Sequence, residues 1–300
     1  MTASHTLRRR SLERRTAISA AIMLLPVVIF FISLVYYPIG WSFWLSLTRY
    51  NVFANEATFI GLQNFVRLTK DTVFIDSFGH TAYYAFFYVL FAVSLSLVLA
   101  VLLEQVTNDR AKSVYKFVYF IPVVSPLVVV SVLWLWLYEP QIGLLNYILS
   151  WFGIRKQAWL LNPNLALPAI IAMSVWKALG YNMIIFVAGL KGIPSQYYEA
   201  ATVDGAGGMQ QFWRITLPLL KPITTFVTVM SVIGSFQVFT QVWVMTQGGP
   251  VQSTTTVVYN IYENGFRYFQ MGYASAMAVV LFVIILFFTF VQLRVSRERS

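Results

Sequence analysis

"GIPSQYYEAATVDGAGGMQQFWRITLPLLKP", Gly192 to Pro222, is polar, glycine-rich and acidic, and it stands between two long apolar runs. Pro194 suits a first helical turn, and Ser195 to Asp204 favour a short helix whose Ala200, Ala201 and Val203 keep its surface small-featured. Gly205 can take a positive φ and end that helix. A second short helix can run through Gln210 to Ile215 before Pro218 and Pro222 punctuate the return. The pattern predicts two short helices joined at a glycine, making a compact knob outside the bilayer.

The remainder of the chain explains why a bilayer enters the reading. Of 300 residues, 58% are hydrophobic, 17% aromatic and only 11% charged, against about a quarter charged in soluble domains. Roughly 20 apolar residues in a helix span the hydrocarbon core. Six stretches qualify: Ile18–Tyr37, Thr81–Leu103, Val114–Leu137, Leu165–Leu190, Ile223–Thr246 and Tyr273–Leu293. The expected fold is therefore all-α and polytopic. A basic tail occupies residues 1–17, six transmembrane helices occupy 18–300, and the loop 192–222 lies between the fourth and fifth spans.

Basic residues orient the spans. With the amino terminus inside, the inner segments hold Arg8, Arg9, Arg10, Arg14, Arg15, Arg110, Lys112, Lys116, Lys191, Arg214, Lys221, Arg294, Arg297 and Arg299. The outer loops hold Arg49, Arg67, Lys70, Arg155, Lys156 and Arg267. The bias of 14 to 6 predicts a multi-pass protein of the cytoplasmic membrane with both termini and the loop 192–222 in the cytoplasm. It also accounts for the net charge of +10 through lipid and topology, without nucleic acid.

The first span is long for a signal peptide, lacks a small-x-small site, and runs on into "YYPIGWSFWLSL". It reads as an uncleaved helix kinked near Pro26 and Pro38, and Pro122 and Pro126 similarly interrupt the third span. In the outer loops, "FIGLQNFVRL" and "GLLNYILSWFG" have the amphipathic pattern of interfacial helices, and Gly248, Gly249 and Pro250 mark a turn.

Several chemistries are excluded. Cysteine is absent, and His5 and His80 are the only histidines, so no metal site or catalytic residue is expected. No Asp or Glu lies inside a span to serve the ion relay of a secondary transporter. No GxxxxGK[ST] phosphate loop is present, so ATP and magnesium must belong to another subunit if transport is ATP-driven.

"EAATVDGAGGMQQFWRITLP" resembles the EAA loop of the inner-membrane permeases of binding-protein-dependent ABC importers, through Glu199, Ala200, Ala201, Asp204, Gly205, Ala206, Phe212, Ile215, Leu217 and Pro218. "VWKALGYNMIIFVAGLKGIPSQYYEAA", "TQGGPVQSTT" and "MGYASAMAVVLFVI" look like the carbohydrate-type permeases of that superfamily. The resemblance implies a second homologous permease, two ATP-binding subunits and an extracytoplasmic solute-binding protein as partners. It implies that Glu199, Ala200, Ala201, Asp204 and Gly205 couple the membrane helices to the ATPase, with Asp204 capping the helix that follows. The implied cargo is a mono- or oligosaccharide, with glycerol-3-phosphate or a related glycerol derivative as the alternative.

A sugar in a membrane needs hydrogen-bond partners and flat apolar faces. The fourth span offers Trp176, Lys177, Tyr181 and Asn182, and the fifth offers Ser235, Gln237, Thr240 and Gln241. By resemblance, Trp176, Tyr181, Ser235 and Gln237 fall where maltose-type permeases contact sugar. Val123 and Leu127 are apolar where such permeases carry polar groups. The competing reading is that these side chains join helices through interhelical hydrogen bonds. Lys177, mid-span without an acidic partner, must line a watery cavity, meet an anionic substrate, snorkel, or serve structure beside Trp176.

Overall fold

The structure, a computed structural model, describes residues 19–53 and 56–297. The basic tail expected over residues 1–17 lies outside the described residues. Helix α1 (Ser19–Ser46) is followed by a two-stranded hairpin, β1 (Thr48–Asn51) and β2 (Glu56–Phe59). Then come α2 (Gln63–Leu68), α3 (Thr72–Gln105), α4 (Asp109–Val124), α5 (Leu127–Leu137), α6 (Leu144–Ser150) and α7 (Pro163–Lys191). The second half holds α8 (Gln196–Val203), α9 (Gly208–Leu219), α10 (Lys221–Phe236), α11 (Thr240–Met245), α12 (Val257–Tyr262) and α13 (Met271–Arg297).

Four helices, α1, α3, α7 and α13, are long and apolar enough to cross a membrane by themselves. Two bent pairs, α4 with α5 and α9 with α10, raise the number to six if each pair makes one span. The fold is thus mostly helical but not purely so. The hairpin pairs Thr48 with Phe59 and Arg49 with Thr58, and its β-branched and aromatic residues suit a strand. Buried Asn64 anchors it, donating from Nδ2 to the carbonyls of Ser46 (2.9 Å) and Thr48 (3.0 Å).

Local sequence sets the ends. Asp71 caps α3 by accepting from Phe74 N–H, Asn108 caps α4 by accepting from Arg110 and Ala111, and Asn162 caps α7 by accepting from Asn164 N–H. The expected third span is broken between α4 and α5 with a bend of 101°. The cause is the proline pair: Pro126 has no N–H to offer the Pro122 carbonyl four residues back. The expected fifth span is broken too, since α10 stops at Phe236 and α11 starts at Thr240. There the Val238 carbonyl takes a hydrogen bond from the Thr256 hydroxyl at 3.0 Å instead of a helical one.

Helices α3 and α7 make the most extensive contact in the bundle. Small residues let them approach: Ala92, Ala100, Ala166 and Ala169 are buried, and Ser96 Oγ donates to the Leu179 carbonyl at 3.3 Å. Helix α4 crosses α7 at Gly180, where an added Cβ would stand 1.9 Å from the Tyr119 carbonyl oxygen. Helix α13 packs on the end of α1 and on α10. A broad exposed apolar surface remains, including nearly all of α1 before Ser46, as a chain solvated by lipid requires.

Candidate functional site

Two regions carry the residues singled out by sequence: the loop between α7 and α10, and the bundle where α3, α7 and α11 meet.

In the loop, α8 ends at Val203, Asp204 is its C-cap, and Gly205 has φ +77°. Ala206 N–H then reaches back to the Ala201 carbonyl at 2.8 Å, so the helix closes with a left-handed glycine stop. The expected cap by Asp204 on the next helix does not form. Gly207 precedes α9 as its N-cap, with no side-chain cap bond. Asp204 comes too early, because the glycine turn swings the chain before α9 begins.

Cross-links hold α8 rigidly on α9. Gln211 Nε2 donates to Thr202 Oγ1 (3.0 Å) and to the Ala206 carbonyl (3.1 Å), and the Tyr198 and Thr216 hydroxyls share a hydrogen bond of 3.0 Å. Helix α9 bends by 67° into α10. The outward face of this knob displays Glu199 and Ala200, with Ala201 half-buried. Val203, read from sequence only as a small-featured surface residue, and Met209, which sequence reading did not single out, are 88% and 73% exposed. Two apolar side chains so far out on a polar knob form a surface that another protein can cover.

In the bundle, Lys177 has a defined partner set. Its Nζ donates to the carbonyls of Pro122 (2.8 Å) and Ser125 (2.9 Å), with Val123 at 3.5 Å. The ammonium therefore replaces the donor that Pro126 lacks and sits at the negative end of α4. Both signals were in the sequence, a proline four residues after another and a mid-span lysine without an acid, but only the fold joins them. We expect Lys177→Met to leave these carbonyls unpaired, at about 1–3 kcal/mol each. It should reduce uptake of neutral and anionic solutes alike in a vesicle assay. Selective loss of anionic solutes would instead place Lys177 on the substrate path.

Gln241 turns to the core, with Nε2 at 3.4 Å from Tyr84 Oη and 3.3 Å from Ser174 Oγ. These weak bonds join α11, α3 and α7. Tyr84 and Ser174 were not singled out from sequence, since a lone tyrosine and serine in apolar helices carry no pattern. Ser235 is 1% exposed and donates to the Val232 carbonyl of its own helix, so it serves packing rather than a surface. Asn182 is 6% exposed on α7. Tyr181 is 54% exposed, and Gln237 is exposed where α10 ends. Trp176, 42% exposed, meets Trp134 edge-on at 5.6 Å and lines an apolar groove of about 490 Å³ with Tyr83, Phe87 and Phe91 of α3. The structure thus divides the candidates: Lys177 and Gln241 join helices, Ser235 is buried against its own helix, and Trp176, Tyr181 and Gln237 present surface.

The turn after α11 is built by threonines. Gln247, Gly248, Val251 and Gln252 have φ of 49°, 80°, 49° and 63°. Thr254 Oγ1 donates to the Gly249 carbonyl (2.7 Å) and pairs with Thr246, while His80 Nδ1 donates to the Thr255 carbonyl (3.1 Å). Thr81 Oγ1 accepts from Val257 N–H at 2.9 Å. These bonds lock the turn to α3 and offset its left-handed strain. Among the described residues, no group of three His, Asp or Glu is gathered to hold a metal.

The model of the family described as "Binding-protein-dependent transport system inner membrane component" matches residues 92–300. Probable ABC transporter permease protein YurN of Bacillus subtilis (strain 168) is 34% identical over 275 residues, covering 91% of this chain and 94% of that protein. The sn-glycerol-3-phosphate transport system permease protein UgpA of Escherichia coli O157:H7 is 35% identical over 272 residues, covering 90% of each. Among solved structures, a bacterial ABC transporter involved in the import of the acidic polysaccharide alginate aligns with a TM-score of 0.84 at 25% identity, over 96% of this chain and 98% of that one. With its apolar spans and a family of transport components rather than enzymes, this chain belongs to the inner-membrane permease components of binding-protein-dependent ABC transport systems.

Proposed function

We propose that this chain is a six-span permease subunit that imports a mono- or oligosaccharide and is driven through α8 by a separate ATPase. The observation that carries the coupling is the rigid knob. Helix α8 is cross-linked to α9, α9 leads into α10, and Glu199 and Val203 stand exposed. Motion imposed on α8 therefore passes directly to a membrane helix. Glu199 pairs with a basic residue of the ATPase groove, the alanines allow close seating, and Gly205 makes the turn. ATP and magnesium are bound by two partner ATPase subunits. A homologous permease completes the membrane part, and an extracytoplasmic binding protein delivers solute. Both termini and the basic tail lie in the cytoplasm, as the arginine and lysine bias supports.

Trp176, Tyr181 and Gln237 are the residues we assign to the path. Trp176 and Tyr181 supply flat faces, and the Gln237 amide supplies hydrogen bonds, while Asn182 is buried on α7. A neutral sugar is favoured because the cation at mid-span, Lys177, is already engaged by backbone carbonyls. Glycerol-3-phosphate is the second reading, supported by the likeness to UgpA. ATPase activity of the complex, reconstituted in lipid with its own binding protein, should be stimulated by one neutral sugar. Stimulation by glycerol-3-phosphate alone would replace the cargo. A complex that hydrolyses ATP yet responds to no solute in either class would overturn both.

A further inference from the structure

Away from the path, a polar pocket of about 500 Å³ lies where β1, α2 and the start of α13 meet. Arg49 and Arg67 both line it, with Tyr50, Asn64, Gln270 and Tyr273. No Asp or Glu is among its lining residues. Arg67 is held in place: Nη1 donates to Gln270 Oε1 at 2.7 Å, and the guanidinium lies 3.9 Å from the centre of the Tyr273 ring. The Tyr273 hydroxyl donates to Asp71, which also caps α3 and does not line the pocket. Arg49 has no ion-pair partner among the described residues. Two guanidinium groups lining one cavity that has no carboxylate among its walls favour an anion there.

The pocket's depth indicates which anion. It sits at the ends of two apolar spans, α1 and α13, which pack together there. Trp41 and Trp44 of α1 are exposed just below it, and Trp44 stacks on Phe59 at 5.9 Å between ring centres. Aromatic residues at a span end mark the headgroup region. Further down, Phe43 of α1 meets Phe282 of α13 at 6.1 Å, and both leave apolar surface exposed. A free phosphate would satisfy only the top of this arrangement, whereas a phospholipid satisfies both parts. The walls are preformed, because Asn64 ties α2 to the end of α1 and Gly272 admits the Thr48 carbonyl where a Cβ would stand 2.1 Å away.

We propose that this pocket binds the phosphate of an anionic membrane lipid between Arg49 and Arg67, with the acyl chains lying along α1 and α13. The choice of leaflet rests on the orientation given under Proposed function, but binding itself does not. The test is native mass spectrometry of the delipidated full complex titrated with phosphatidylglycerol, with and without millimolar inorganic phosphate. Arg49→Gln, an exposed change that leaves the packing intact, should weaken retention of one lipid per copy of this chain about fivefold, and Arg67→Gln should do the same. Arg49→Lys should restore part of the affinity, because it keeps the charge without the fork. Lipid retention unchanged in both Gln variants would overturn the proposal. So would displacement of the lipid by inorganic phosphate alone, which would make this a site for a soluble anion. Neither readout involves transport, so failure here leaves the importer reading untouched.

Discussion

Glu199→Lys is expected to abolish uptake while the chain still inserts and joins its partner permease. Glu199 is exposed on the outward face of α8, so replacing it disturbs nothing inside the protein. On the coupling proposed above, its effect comes from the ATPase: a lysine facing the proposed basic groove would set like charges together at a buried contact, at a cost of several kcal/mol, or roughly a hundredfold or more in productive docking. Glu199→Gln should fall between, since it removes the attraction without adding repulsion. Solute uptake in vesicles, with co-purification of the ATPase from the same membranes, checks this. Normal uptake by the lysine variant would sink the coupling role of α8. Val203→Asp should act in the same direction, because it puts a charge where an apolar tip is 88% exposed and available to be covered.

Gly180→Val should be as damaging, for a different reason. The added Cβ would lie 1.9 Å from the Tyr119 carbonyl oxygen and 2.7 Å from its carbon, both backbone atoms of α4. No side chain can rotate away, so the helices must part by more than an ångström. Overpacking ordinarily costs about 1–3 kcal/mol, and a backbone collision belongs at or above the upper end. The same displacement would draw the Pro122 and Ser125 carbonyls away from Lys177. The two defects should therefore be coupled. Gly180→Val with Lys177→Met should destabilise by clearly less than the sum of the single changes. Thermal unfolding of the detergent-solubilised complex measures all three. An unchanged midpoint for Gly180→Val would refute the close crossing of α4 and α7.

Where elements begin and end follows local rules, and the sequence revealed most of it. Gly205 was read as a helix stop and acts as one; Asp71, Asn108 and Asn162 cap helix starts by the same kind of local rule, although the sequence reading did not single them out. The amphipathic stretches outside the spans are the short helices α2 and α6. The break between α10 and α11 was missed because its cause is remote: Thr256 lies 18 residues on from the Val238 carbonyl it satisfies. The hairpin was missed because four-residue strands are too short to show an alternation against apolar surroundings.

Site residues were less legible. Apolar spans must collect their few polar side chains on inward faces, so composition nominates Lys177, Ser235, Gln237 and Gln241 together. It says nothing of whether each meets solute, a carbonyl or another helix. Gln241 found Tyr84 and Ser174, Ser235 found its own helix, and Lys177 found α4.

By itself, the sequence determined the membrane as solvent, the mostly helical fold, the polar knob between α7 and α10, and the family that its residues mark. These follow from transfer energies and backbone preferences, which act residue by residue along the chain. Only the tertiary structure decided that the mid-span lysine serves the broken α4 and that Arg49 and Arg67 share a pocket. Each of those outcomes depends on two segments distant in the chain reaching hydrogen-bond or charge-pair range, and no local preference specifies that meeting.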